Sequence, residues 1–209
     1  MRRLYSVVGA VLLLGCMDDG SKATAPQLSG AVVGGPSLDR NDGGSIRSDH
    51  GNQGGKRVGI TLLTGAEEVP PRSTNASGEL SLRLGKDGAS IDFVLEVNDI
   101  SNITMAHIHR QVKGQNGGIV VWLYPSVKST TPLPGGSGPV TRLVVEGTFT
   151  AADFRGALAG QPLSAFLADV EAELLYGNVH TDDGVDPPNT GPGDFPGGEV
   201  RGQLDRHNH

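Results

Sequence analysis

The chain has 209 residues, a formal net charge of −6, a single cysteine and only 4% aromatic residues. An acidic balance with no basic patch and no interleaved aromatic stripe excludes the phosphate-tracking surface that a nucleic-acid partner needs. One cysteine excludes an internal disulfide, and scarce aromatics argue against a stacking platform for sugars or single strands.

Arg2 and Arg3 precede the apolar run Leu4 to Leu14. That run is too short for a spanning helix of about 20 residues but suits the apolar part of an export signal. Leu13-Leu14-Gly15-Cys16 resembles a bacterial lipobox. The resemblance makes residues 1–15 a lipoprotein-type signal peptide and Cys16 the lipid-bearing first residue of the mature chain. A lone thiol in an exported chain fits that role. Met17 follows Cys16, so the aspartate that retains enterobacterial lipoproteins in the inner membrane is absent. The expected location is extracytoplasmic, anchored to the outer membrane or cell surface. Residues 16–56 are rich in Gly, Ser, Asp and Asn and low in apolar content. They cannot bury enough surface to offset the entropy of ordering, and read as a flexible tether.

Residues 57–205 have the length of one domain, with a tail at 206–209. Six segments are short, β-branched or aromatic, and bounded by turn residues: Gly59 to Leu63, Gly78 to Leu84, Ser90 to Val97, Thr104 to His109, Ile119 to Tyr124 and Val140 to Phe149. Leu80, Leu82 and Leu84 share one strand face, as do Ile91, Phe93, Leu95 and Val97, so each strand has one dry side. Thr150 and Asp153 have capping-box spacing and open a helical turn. Leu163, Phe166, Leu167, Val170 and Leu174 form a helical stripe, with Pro162 at its start and Gly177 at its end. That helix is expected to plug an open edge or end. Tyr176 to Thr181 and Glu199 to Leu204 return to strand. The expected fold is all-β, an antiparallel Greek-key-like sandwich of about eight strands with one short helix and a helical turn.

Three segments carry the chemistry. Ala106-His107-Ile108-His109 puts two imidazoles on one face of a strand, about 6.6 Å apart along the backbone. Tyr176-Gly177-Asn178-Val179-His180-Thr181 offers a third imidazole. Such histidines on a sandwich strand are expected first to hydrogen-bond backbone carbonyls and hold loops. Alternatively, His107, His109 and His180 converge on copper or zinc, for which imidazoles are suited, or line a polar pocket for an organic ligand. The third segment is Pro196-Gly197-Gly198-Glu199-Val200-Arg201-Gly202-Gln203-Leu204. Glu199, Arg201 and Gln203 alternate onto one face, and a salt bridge between Glu199 and Arg201 is expected to pin the last strand. Glu67 and Glu68, before Val69-Pro70-Pro71, could reach a metal or a partner, but read first as a solvated turn. Asp182, Asp183, Asp186 and Asp194 crowd one loop and make calcium a lesser option, although their spacing matches no EF-hand. No nucleophile elbow or phosphate loop is present.

Together with Leu63-Thr64-Gly65-Ala66-Glu67-Glu68-Val69-Pro70-Pro71, these three segments resemble the CHRD domain, the repeated module of chordin that is also common in bacterial secreted proteins. The resemblance covers about residues 60 to 204. It implies a short turn between the Asn-Val-His-Thr and Pro-Gly-Gly-Glu elements, where this chain has the longer stretch 181–198. The His-x-His strand is also similar to that of copper-zinc superoxide dismutases, without the further histidines of a two-metal site. The resulting expectation is a lipid-anchored binding or structural module of the cell envelope with an unidentified envelope or extracellular ligand. The alternative is a mononuclear copper- or zinc-binding protein.

Overall fold

A computed structural model describes residues 55–134, 136–185 and 191–206. The signal segment, Cys16, nearly all of the tether, His50, Asp186, His207 and His209 lie outside the described residues.

All eight expected strands form: β1 (Arg57–Thr64), β2 (Ser77–Leu84), β3 (Ser90–Ser101), β4 (Ile103–Arg110), β5 (Gly118–Tyr124), β6 (Pro139–Thr150), β7 (Leu175–Thr181) and β8 (Val200–Gln203). They make one antiparallel ladder in the order β5-β4-β7-β8-β1-β2-β3-β6. The join between β8 and β1 is thin, with Thr64 opposite Arg201 and an isolated bridge between Ile60 and Asp205. It divides the ladder into two layers, β5-β4-β7-β8 and β1-β2-β3-β6.

The connection from β3 to β4 shows that these layers face each other. Five strand spacings separate the two strands in the order, about 24 Å in a flat sheet at roughly 4.8 Å per strand. A single residue, Asn102, joins them, and it reaches at most about 7 Å. The sheet therefore rolls over on itself, which is the sandwich expected from the alternating faces, and β5 and β6 approach one another at its far edges. Asn102 turns the corner at φ 54°, donating its backbone N–H to Gly138 O and its side-chain Nδ2 to Gly193 O.

Between the layers lies the core. Leu80 stands opposite Leu95 and Leu82 opposite Phe93, and all four are buried with Ile91, Val97, Ala106, Ile108, Val179 and Val200. Helix α1 (Leu163–Glu171) covers the end of the sandwich where β1 starts and β6 finishes. Phe166 stacks on Phe154 and meets Phe149 edge-on, and Val170 approaches Gly59. Thr150 and Asp153 form the expected capping box, over a 3-10 turn.

The helix stops sooner than its stripe suggests. Glu173 adopts φ 53° and donates to Val170 O, and Leu174 donates to Asp169 O. Those two bonds close a Schellman end without a glycine. Gly177, expected as the helix end, lies inside β7. A Cβ there would stand 2.7 Å from Leu80 Cδ2, so the residue is small to let the two layers meet. No helix among the described residues is long and apolar enough to cross a membrane.

Candidate metal site

Strand period fixes the location of the histidines. Ala106 and Ile108 enter the core from β4, so His107 and His109 point to its outer face. On β7, Leu175 and Val179 go inward, which leaves Tyr176, Asn178 and His180 on the same outer face. The register sets His107 opposite Asn178, His109 opposite Tyr176 and His180 opposite Met105. Outer faces of sandwich strands usually meet water, yet all seven residues of β7 are buried. Three loops roof this face. They are the segment after β1, the β4–β5 loop, and the described parts of the β7–β8 loop. Asn116 Nδ2 donates to Val69 O at 2.8 Å and Lys113 pairs with Glu67, tying the first two loops. The Arg72 guanidinium lies over the Phe195 ring, tying the first to the third.

Beneath this roof the three imidazoles converge. Ring centroids are 5.4 Å apart for His107 and His109, 5.2 Å for His107 and His180, and 6.1 Å for His109 and His180. One ring nitrogen from each lies within 4.8 Å of the others. His109 donates Nδ1–H to Gly117 O at 3.0 Å, leaving a buried Nε2 with no hydrogen-bond partner. His180 donates Nδ1–H to Pro196 O at 2.8 Å, which leaves Nε2 bare, 2.9 Å from Asn178 Oδ1. Neither nitrogen of His107 has a hydrogen-bond partner, and its ring makes a T-shaped contact with Trp122. Burial is the main cause of the depressed basicity of all three. His107 is pushed down to about 2, with His180 and His109 adding to the effect. His180 falls to about 4, and His109 falls below its ordinary value. Neutral imidazole, the form that binds metal, is therefore the resting form.

The expected hydrogen bonds from histidine to loop carbonyls exist for His109 and His180. They use the nitrogen that faces away from the cluster, the arrangement that orients a metal-ligating imidazole.

The Pro-Gly-Gly-Glu segment surrounds the site. Pro196 supplies the carbonyl that holds His180. Glu199, fully buried, accepts from Thr74 Oγ1 and Thr181 Oγ1, each at 2.6 Å, and from Gly193 N at 2.9 Å. Arg201, also buried, donates Nη1 to Asn116 Oδ1 and Nη2 to Gln115 O. Its guanidinium lies 3.4 Å from the centroid of the Tyr176 ring, which also stacks on His109. The expected Glu199–Arg201 salt bridge is thus replaced by two separate jobs. Glu199 holds the β7–β8 loop, and Arg201 holds the β4–β5 loop over His109. Gln203 Nε2 donates to Gln111 O and Glu173 O, anchoring the start of that loop.

Glu68 also departs from expectation. It is 4% exposed and not part of a solvated turn, and Asn178 Nδ2 donates to its Oε1 at 3.4 Å. Burial lifts its carboxyl to about 7, opposed by the Asn178 bond and the charge of Arg201. Sequence reading placed Asn178 on the face of His180 but gave it no role, and it offered Glu68 a metal or a partner only as the lesser option. Asp182, Asp183 and Asp194 gather with carboxylate oxygens within 4.8 Å of one another. Asp182 and Asp183 accept from the loop amides of Gly184 and Val185.

The family model described as the CHRD domain matches residues 60–204, which run from within β1 through β8 and include every residue of the site described above. A comparison with curated proteins finds no match.

Proposed function

The chain belongs to the CHRD-domain family, and from that premise we propose that it is an exported, lipid-anchored binding module whose ligand is a single copper or zinc ion held by His107, His109 and His180. The observation that carries the reading is the buried His107 ring with both nitrogens unbonded, gathered with the partnerless Nε2 of His109 and with His180, whose Nε2 lies beside Asn178 Oδ1. An unsatisfied buried polar atom costs roughly 1–3 kcal/mol, so such a cluster calls for a bound partner. A metal ion satisfies all three nitrogens at once, and the loop carbonyls on the far nitrogens of His109 and His180 support that chemistry. Copper and zinc are the ions that imidazole sets favour. The lipid anchor is supported by the lipobox-like Leu13-Leu14-Gly15-Cys16.

Titration of the purified protein with copper(II) and zinc(II), followed by elemental analysis after desalting, tests the site. One equivalent is expected to bind and to raise the unfolding midpoint in proportion to the logarithm of its excess over Kd. His107→Gln and His180→Gln should each abolish most of that rise while the metal-free protein stays folded. Absence of saturable, histidine-dependent binding refutes the metal reading and leaves a scaffold module. Loss of folding in metal-free histidine variants would assign these rings a purely structural role.

A further inference from the structure

Asn178 stands between two groups of opposite demand. Its Nδ2 donates to Glu68 Oε1 at 3.4 Å, and its Oδ1 lies 2.9 Å from His180 Nε2. A side-chain amide can be turned over, and here the surroundings choose its orientation. In the structure the amide nitrogen faces Glu68 and the carbonyl oxygen faces the imidazoles, the orientation that an ionised Glu68, which only accepts, requires. Gly198 permits the meeting. It has φ 119°, and a Cβ there would stand 2.5 Å from Glu68 Oε1 and 2.7 Å from Asn178 Nδ2.

The result is a contact between two lone pairs. His180 carries its ring proton on Nδ1, where Pro196 O receives it, so Nε2 has none to share. Asn178 Oδ1 has none either. Two acceptors at 2.9 Å repel unless a positive centre lies beside both. One proton there would join this pair and leave the nitrogens of His107 and His109 unbonded. A metal ion serves all four.

The geometry points to Asn178 as a fourth ligand, its Oδ1 joining the three imidazole nitrogens on the ion, with Glu68 as the residue that positions it. This inference rests on the metal reading and deepens it by assigning the oxygen ligand and the preferred ion. With metal–ligand bonds of about 2.0–2.1 Å, a 2.9 Å separation subtends roughly 90° at the metal. That angle belongs to the tetragonal N,O geometry of copper(II) and is well below the roughly 109° of tetrahedral zinc. Copper(II) is the ion this pair selects.

The test is pulsed electron paramagnetic resonance on the copper(II)-loaded, full-length protein grown with asparagine labelled with carbon-13 at the side-chain carbonyl. The wild-type spectrum should show three imidazole nitrogens and one strongly coupled carbonyl carbon. Asn178→Asp, which keeps an oxygen in place, should retain binding. Asn178→Leu should weaken copper(II) by roughly ten- to a hundredfold and change the copper spectrum at saturation. Glu68→Gln, which can still accept from Nδ2, should match wild type, whereas Glu68→Leu should weaken binding. Imidazole couplings without the carbon coupling overturn the assignment of Asn178 and leave the three-histidine site standing. A folded Asn178→Leu protein with unchanged affinity and spectrum does the same. Should Asn178→Leu fail to fold, the labelled wild-type spectrum decides. No bound copper in the wild type removes the metal reading and this inference with it.

Discussion

Arg201 illustrates how much one buried side chain on the outer face organises. It covers Tyr176 with a flat cation and sends two donors to the β4–β5 loop, so it links the face that carries His109 to part of the roof above it. Lysine keeps the charge but has neither the fork nor the flat face. Arg201→Lys is expected to lower stability by about 1–3 kcal/mol, the cost of leaving buried acceptors unpaired and the ring uncovered. Urea denaturation of the metal-free protein measures it, and an unchanged midpoint would show that the loop holds without this clamp. At this scale the sequence was informative where period alone decides. His107 and His109 share a face because strands repeat every two residues, and the alternation of Glu199, Arg201 and Gln203 was visible for the same reason. Their partners were not. Glu199 meets Thr74 at a sequence separation of 125 and Asn178 meets Glu68 at 110, and no local pattern encodes such a meeting.

Strand bounds were legible to within a residue or two except at the end of β3, which runs four residues past the expected Val97 to Ser101, and elements were least legible where a backbone geometry ended them. The stop of α1 depends on Glu173 accepting a left-handed conformation, which side-chain chemistry gave no reason to expect. What α1 contributes is its aromatic contact. Phe166 is fully buried against Phe149 and Phe154. Phe166→Ala should cost about 3–5 kcal/mol, as large-to-small changes in a packed core do, and thermal unfolding checks it. A loss below 1 kcal/mol would mean that the helix is not a structural lid. The β2–β3 turn gives a pH-dependent test. Asp87 Oδ1 accepts from Ala89 N, Ser90 N and Ser90 Oγ, and these bonds hold its carboxyl below the ordinary carboxylate value. A depressed carboxyl stabilises the fold above its unfolded value of about 3.9, and this stabilisation disappears as pH falls through the lower folded value. Asp87→Ala should therefore unfold at lower urea than wild type at pH 7, and the difference should shrink as the solution is brought toward pH 3. A gap independent of pH would show that the charge plays no part.

Across the whole molecule, the two-layer sandwich followed from the alternation of dry and polar faces. The single rolled ladder did not, because the thin seam between β8 and β1 and the corner at Asn102 arise from contacts distant in sequence. The roof over the outer face was hidden for a related reason. A polar strand face looks the same in sequence whether water or a loop covers it, and β7 reads as half-exposed until three loops are placed above it. Attachment is also a property of the whole chain. If Cys16 bears the lipid, Cys16→Ser should move the protein from the detergent phase to the aqueous phase on phase separation, with folding and metal binding unchanged. Persistent detergent partitioning of that variant would rule out the lipobox reading.

The corner at Asn102 also imposes an order of events. It delivers β4, with His107 and His109, to the layer opposite β3, where the strand that supplies His180 and the segment that supplies Pro196 and Arg201 come much later in the chain. A growing or partly translocated polypeptide that has released its first four strands therefore owns two of the imidazoles and the roof segment after β1, but neither the third imidazole nor the other two roof loops. On the metal reading proposed above, ion capture would be an event of the finished chain and would take place in whichever compartment receives its last residues.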